Sequence, residues 1–368
     1  MKELFSLGDI YPSDFLKDGE QPRCDKVELK IMMDDNGCVR LAQTAPPEAM
    51  WGKYWYRSSV NNTMKNHLKS IIDSIFDVFI IKPYDVWCDI ACNDGYLLSC
   101  IRPPIITIGI DPADNTFKNE SEKNADIIIQ DYFSAKVFFK AGVKKAKVIT
   151  AISMFYDIDT PDVFLKDVYE ILENDGLFVM QLSYTPLMIK GMAFDNFCHE
   201  HFYYYSLFNL KALLEKNGFI IMDCQLNDCN GGSLRIYIMK QYADITQFGT
   251  PPYRDVCQFR INSLLEYEKT LKMDETQTWV NFYERICKLK EQTLNFIKKE
   301  KLNGKVIYGY GASTKGNTTL QFLGLDNTLI SKIADRSTYK HGLRTVGTDI
   351  PIISEEEMRK NQPDYLLI

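Results

Sequence analysis

No Cys-x-x-Cys pair occurs in the chain, although ten cysteines do. They stand at 24, 38, 88, 92, 100, 198, 224, 229, 257 and 287. Without paired knuckles a zinc site is not indicated, and thiols inside expected strands and helices read as reduced, small buried hydrophobes. No apolar run approaches the roughly 18 residues that a membrane span needs. The N-terminus carries no signal-peptide pattern, so a cytoplasmic location is expected. Excess positive charge is also missing: a net charge of -6 and a pI near 5.4 argue against nucleic acid or an anionic membrane as the main partner. A local basic pocket stays open. What is present, 45% hydrophobic and 25% charged residues over 368 positions, is an ordinary globular composition with core enough for two or three domains.

Glycine is scarce where it is most informative. The stretch Asp85-Val86-Trp87-Cys88-Asp89-Ile90-Ala91-Cys92-Asn93-Asp94-Gly95-Tyr96-Leu97-Leu98 reads as strand, tight turn and helix, with one glycine in the turn. A second short strand, Thr107-Ile108-Gly109-Ile110-Asp111-Pro112, ends on a carboxylate 22 residues after Asp89. That spacing grips an adenosine ribose through its hydroxyls. A dinucleotide needs several glycines for backbone to close on its pyrophosphate. S-adenosylmethionine has no phosphate, and its ammonium and sulfonium favour carboxylates such as Asp89 and Asp94. The expected donor-contacting set is Asp89, Ala91, Asn93, Asp94, Gly95, Asp111, Pro112, Asp131 and Ser153. Asp131 is placed as an acceptor for the adenine amino group, or as a helix cap.

Along the chain, residues 1–66 read as a small leading substrate-cleft unit, with strands at Lys26–Met33 and Val39–Ala42 around the turn Asp34-Asp35-Asn36-Gly37. The aromatic segment Met50-Trp51-Gly52-Lys53-Tyr54-Trp55-Tyr56-Arg57-Ser58-Ser59 follows, suited to line a cleft or an inter-domain surface. Residues 67–243 read as a doubly wound α/β sheet. Its strands are expected at Val86–Ile90, Thr107–Asp111, Asp126–Asp131, Val148–Ile152, Leu177–Leu182, Phe219–Cys224 and Ser233–Met239. The last two are joined by a short Asn-Asp-Gly-rich connection and should pair antiparallel, which is the class I methyltransferase pattern. Ligands in such sheets sit outside the carboxyl ends of the strands.

Two of the four histidines fall in one excursion after the fifth strand, as Cys198-His199-Glu200-His201, followed by Tyr203-Tyr204-Tyr205. An imidazole whose tautomer is fixed by a neighbouring Glu or Tyr can act as a base. As a zinc pair it would have no evident third ligand. Residues 244–303 read as a helical connector. Residues 304–368 open on Val306-Ile307-Tyr308-Gly309-Tyr310-Gly311-Ala312-Ser313-Thr314-Lys315-Gly316-Asn317-Thr318, a second strand, glycine turn and helix. Backbone amides, the helix N-terminus and Lys315 there make an anion pocket suited to a diphosphate. This is a smaller Rossmann-like α/β unit. Its final strand has no covering helix, which hints at a truncated chain or a missing tail.

Taken together, these motifs resemble the sugar C-methyltransferase family, which acts on nucleotide-linked 4-keto-deoxysugars. The likeness rests on Pro46-Pro47-Glu48, Tyr54-x-Tyr56-x-Ser58-Ser59, Asp89-Ile90-x-Cys92-Asn93-Asp94-Gly95, Gly109-Ile110-Asp111-Pro112-Ala113, His199-Glu200-His201, Asn230-Gly231-Gly232-Ser233-Leu234-Arg235 and Gly309-Tyr310-Gly311-Ala312-Ser313-x-Lys315-Gly316-Asn317-Thr318. The resemblance implies His201 as general base, Glu200 as supporting acid, and Tyr56 and His199 at the reacting centre. It also implies a nucleoside-diphosphate sugar held by Tyr54, Asn230, Ser233, Arg235, Gly311, Ser313, Lys315, Asn317 and Arg336. A monomer or small homo-oligomer is expected. The chain departs from the family at three places. The zinc knuckles are missing, with Met33-Asp34-Asp35-Asn36 where the second would stand, so no zinc is expected. Cys198 replaces a frequent Tyr, and Asp157 replaces a frequent His.

Other classes are separable. An O- or N-methyltransferase would keep the donor motif without exchanging a carbon-bound proton. A nicotinamide-dependent oxidoreductase using both glycine turns would bind NAD and no S-adenosylhomocysteine. A non-catalytic nucleotide-sugar module would bind and transfer nothing.

Overall fold

The computed structural model describes residues 1–51 and 54–368. Gly52 and Lys53 of the aromatic segment lie outside the described residues. A seven-stranded sheet occupies the middle of the chain, with strands β1 (Val86–Ile90), β2 (Ile106–Ile110), β3 (Ile127–Ile129), β4 (Ala146–Ile152), β5 (Leu172–Ser183), β6 (Phe219–Asn227) and β7 (Ser233–Lys240). Their order is β6-β7-β5-β4-β1-β2-β3. β7 runs antiparallel to both neighbours, and the pairs among β1 to β5 are parallel. This is the class I methyltransferase sheet. Residues of β1 and β4 are buried almost throughout, as strands covered on both faces must be.

Two apolar layers cover the sheet. One is built on helices Pro161–Ile171 and Leu207–Lys216 through Leu165, Val168, Leu210 and Leu214. The other is built on helix Asn62–Val78 through Leu68, Ile71, Ile72 and Ile75, packed on Trp87, Val148 and Val179. That helix starts at Asn62, capped by Asn61, whose side chain accepts from the Thr63 amide, and so begins five residues ahead of the expected His67 start. The connector resolves into two helices, Pro251–Leu271 and Thr276–Leu302.

The two ends of the chain do not form separate cores. Strands Lys2–Ile10, Val27–Met33 and Val39–Leu41 make an antiparallel sheet, and its fourth strand is Tyr203–Tyr204 from the histidine excursion. A four-stranded parallel sheet at the C-terminus uses Ile307–Tyr310, Lys332–Asp335, Ile352–Ser354 and Tyr365–Leu367. One continuous apolar cluster joins Phe5, Ile31, Phe197, Trp279, Phe282, Leu320 and Ile333. Phe5 touches the rings of Phe197 at 5.3 Å, Tyr283 at 5.3 Å and Phe282 at 6.0 Å. Polar contacts reinforce this: the Tyr11 amide donates to Gln321 Oε1 (2.8 Å) and Gln321 Nε2 donates back to the Tyr11 carbonyl (3.0 Å). Phe15–Leu16 also pairs with Arg344–Thr345. The molecule is therefore two bodies, the central sheet and a composite of both chain ends.

Phe5→Ala removes a ring that touches the histidine excursion and the connector at once, and is expected to cost about 3–5 kcal/mol. Urea denaturation followed by both tryptophan fluorescence and circular dichroism checks this. A loss under 1 kcal/mol would mean the N-terminal sheet is stabilised independently of the rest.

Candidate active site

A cleft of about 1040 Å³ opens at the carboxyl ends of the central strands and continues to the C-terminal glycine turn. Its floor at one end is Asp89, Ala91, Asn93, Asp111, Pro112 and Ser153. Three of these non-glycine residues have left-handed backbones, Ala91 (φ 57°), Asn93 (φ 53°) and Ser153 (φ 57°), each a strain of about 1–3 kcal/mol held by the surrounding sheet. That is how the turn closes tightly with one glycine. Gly95 has φ 75°, and a Cβ there would meet the Ser121 Cα at 2.9 Å.

Each acid here is oriented. Asp111 accepts from the Asn93 amide on Oδ2 and from the Ala113 amide on Oδ1, both at 2.8 Å. Burial still pushes its carboxyl above the ordinary range, against those bonds. Asp89 accepts from Thr150 Oγ1 at 2.6 Å, and Trp87 Nε1 donates to the same hydroxyl at 3.2 Å. Burial pushes Asp89 up to about 7. Buried carboxyls of this kind are relieved by a cationic ligand and by hydroxyl donors. The donor set therefore fits a molecule with an ammonium, a sulfonium and ribose hydroxyls.

Asn93 and Asp94 also fasten the aromatic segment over this end. Asn93 Oδ1 accepts from the Ser58 amide (3.1 Å), Asn93 Nδ2 donates to the Tyr56 carbonyl (3.0 Å), and Asp94 Oδ2 accepts from the Ser59 amide (2.7 Å). Asp94 is thus a buried fastener, outside the cleft lining. Arg57 completes the clasp. It donates to Glu120 and Thr116 and lies over Phe117 of the central body and Tyr339 of the C-terminal unit, 3.9 and 4.7 Å from their ring centroids.

Mid-cleft stand Tyr54, Tyr56, Tyr156, Asp157, Glu200 and His201. Burial holds the Tyr54 phenol well above its usual value, with Glu200, Asp157 and Asp111 adding to it. Tyr56 is 42% exposed, yet partial burial of its phenol in the cleft raises it as well, helped by Cys229 and Asp94. Burial pushes Glu200 up to about 7 against the Lys315 cation. His201 packs against Tyr156 with ring centroids 4.1 Å apart and planes tilted by 49°, and its buried Nδ1 has no hydrogen-bond partner. Burial and then the Lys315 charge depress its basicity well below the ordinary value, while a backbone hydrogen bond to Asn196 opposes them. The ring is neutral at neutral pH with Nδ1 free.

At the far end are Asn230, Gly311, Ser313, Lys315 and Arg336. Lys315 turns inward and donates to Asn196 Oδ1, which brings its charge to Glu200 and His201. Arg336 is largely exposed and pairs with Glu355 at 2.8 Å.

Several expected residues have other partners. His199 points into the N-terminal sheet, where its Nε2 donates to the Val27 carbonyl at 2.9 Å. Asn317 Nδ2 donates to the Asp14 carbonyl at 2.9 Å. Arg235 is buried between the sheet and helix Asn62–Val78, donating to Gln181 Oε1 (3.3 Å) and Ser74 Oγ (3.0 Å). Ser233 Oγ donates to the Cys229 carbonyl. Asp131 is exposed beside Lys140 at 3.7 Å, and Ser134 rather than Asp131 caps the helix that follows. Tyr132, next to it, does line the cleft, as do Lys340 and Asp335. These three were not singled out from sequence. An exposed ring beside the acid at the tip of the third strand was the available signal for Tyr132. Among the described residues, no group of three or more His, Cys, Asp or Glu could hold a metal, and no helix is long and apolar enough to cross a membrane.

Comparison with known proteins agrees with this geometry. Residues 60–223 match the family described as methyltransferase domain, and residues 228–368 match the C-methyltransferase C-terminal domain. The C-methyltransferase NovU of Streptomyces niveus is 26% identical over 335 residues, which is 90% of this chain and 77% of that protein. Among solved structures, magnesium protoporphyrin IX methyltransferase from Synechocystis PCC 6803 with bound SAH has a TM-score of 0.39 at 11% identity, covering 50% of this chain and 90% of that one. An S-adenosylmethionine-dependent methyltransferase from Clostridium acetobutylicum ATCC 824 has a TM-score of 0.35 at 16% identity, covering 48% and 92%. With its central sheet matched by the first of these family models and its C-terminal part by the second, the chain is an S-adenosylmethionine-dependent methyltransferase, similar over most of its length to C-methyltransferases.

Proposed function

We propose that this enzyme methylates the carbon beside the ketone of a nucleoside-diphosphate-linked 4-keto-deoxysugar, through an enolate generated by His201. The observation that carries the reading is that the carboxylates Asp89 and Asp111, His201, whose buried Nδ1 has no hydrogen-bond partner, and the C-terminal glycine turn all line one cleft. Asp89 and Asp111, with Ala91, Asn93, Pro112 and Ser153, would hold S-adenosylmethionine. When bound, it supplies an electrophilic methyl group on a sulfonium.

The chain's own residues do the rest. A hydrogen on a carbon next to a ketone is acidic because the resulting charge delocalises onto oxygen. His201, neutral and fixed by its Asn196 bond, accepts that proton at Nδ1. Tyr54 and Tyr56 keep their phenol protons and serve as donors to the oxygen. Arg57 and the Asn93–Asp94 turn close the aromatic segment over the site and limit water. Gly311, Ser313 and Arg336 at the far end suit the diphosphate and sugar, and distal binding there positions the reacting carbon. Lys315, turned toward Asn196, balances charge around Glu200 instead of waiting at an open anion site.

His201→Asn is expected to lower turnover about 10²–10⁴-fold. It should also abolish solvent-deuterium exchange at the sugar carbon in the absence of donor, measured by mass spectrometry. Exchange at the wild-type rate in that variant would refute the base assignment. Asp111→Ala removes a carboxylate placed for ribose hydroxyls and should weaken S-adenosylhomocysteine binding about 10- to 100-fold by calorimetry. An unchanged affinity would move the donor elsewhere.

A further inference from the structure

The fourth strand ends in a single helical turn, Phe155–Asp157, that faces the His201 loop directly: the Phe202 amide donates to the Tyr156 carbonyl at 2.8 Å. Asp157 lines the cleft, and its buried Oδ1 has no hydrogen-bond partner. The charged and titratable groups around it come from every element packed there. They are Glu200 and Cys198 from the loop, Tyr204 from the short strand, Lys315 from the C-terminal helix, Tyr54 from the aromatic segment, and Tyr156 from its own turn. Of these, Lys315 alone is a cation, and it faces two buried carboxyls. Two like charges in a water-poor site do not both ionise. One proton on the pair makes the group of three neutral.

We infer that Asp157 carries that proton and is a catalytic hydrogen-bond donor to the ketone oxygen, in the position where the resembled family often has histidine. Burial, reinforced by Glu200 and only partly opposed by Lys315, holds its carboxyl well above the ordinary range, in agreement with the geometry. Glu200 is the member nearer ionisation, also raised by burial but opposed chiefly by Lys315. The inference rests on the enolate reading above. As the C–H bond breaks, its proton goes to His201 Nδ1 and its electron pair moves to the ketone oxygen. The Asp157 hydroxyl shares its proton with that oxygen without releasing it, and reversal returns a solvent deuteron to carbon.

The experiment follows deuterium uptake into dTDP-, GDP- and CDP-linked 4-keto-6-deoxyhexoses in D2O, without methyl donor, between pH 5 and 10. Wild-type exchange should fall at alkaline pH as the carboxyl proton is lost. Asp157→Ala should exchange about 10²–10³-fold more slowly. Asp157→Asn keeps an N–H donor that does not titrate, so it should stay within about tenfold of wild type and lose the alkaline fall. Asp157→His should likewise retain exchange, and it guards against misfolding of the alanine variant, with S-adenosylhomocysteine affinity measured for all three. Asp157→Ala exchanging within threefold of wild type overturns the inference. So does Asp157→Asn falling as far as alanine or keeping the alkaline fall. No exchange by wild type on any of the three sugars would instead overturn the enolate reading, and this inference with it.

Discussion

The backbone of Phe202 is bonded on both sides to different bodies. Its amide donates to the Tyr156 carbonyl at the tip of β4, and its carbonyl accepts from the Leu41 amide of the N-terminal sheet at 2.9 Å. His201 and Tyr203 flank this residue, so the histidine and the short strand Tyr203–Tyr204 are fixed by the same two bonds. Backbone pairing of this kind sets position to within a fraction of an ångström, which side-chain packing alone does not. The composite apolar core then decides where the N-terminal sheet can stand, and so where Phe202 is held. A histidine far along the chain from the donor turn is placed beside it by residues from the first forty and the last sixty.

The central sheet was legible because its strands are short apolar runs whose burial is decided locally, and the expected and observed spans of β1 agree end to end. The composite core was not, because nothing in the first strand, Lys2–Ile10, shows which distant segment will cover Phe5. Helix Asn115–Ser121 was passed over too. It is seven residues long, has only Phe117 and Ser121 buried, and is started by an Asp114 cap rather than by periodicity. Ile352–Ser354 is a three-residue strand at the edge of the C-terminal sheet, too short for a pattern.

The site divides along the same physical line. Asp89, Asp111 and His201 could be placed because their chemistry is rare at such positions, in a turn or loop at the ligand edge of a sheet. Arg235, Ser233 and Asn317 were drawn from motif likeness, and the structure gives each a local partner. Arg235 belongs to a buried polar group with His67, Gln181 and Ser74 that holds helix Asn62–Val78 to the sheet. A motif records which residues recur together. It does not distinguish a side chain facing the ligand from one that holds the ligand's wall.

Holding the proposed base between two bodies has a chemical reason. A ketone-adjacent carbon gives up its proton only where the oxygen is stabilised as charge develops, and water around that oxygen would have to reorganise during the step. On the proposed mechanism, a neutral imidazole packed against Tyr156, with buried phenols and a buried carboxyl nearby, is a prearranged shell in place of that water. Building it from a single domain would leave one side open to solvent. Drawing one end of the cleft from the central sheet and the other from the C-terminal unit encloses the space where the proposed reacting carbon would sit. The Arg57 clasp, resting on Phe117 of one body and Tyr339 of the other, is then sensitive to the spacing of the two.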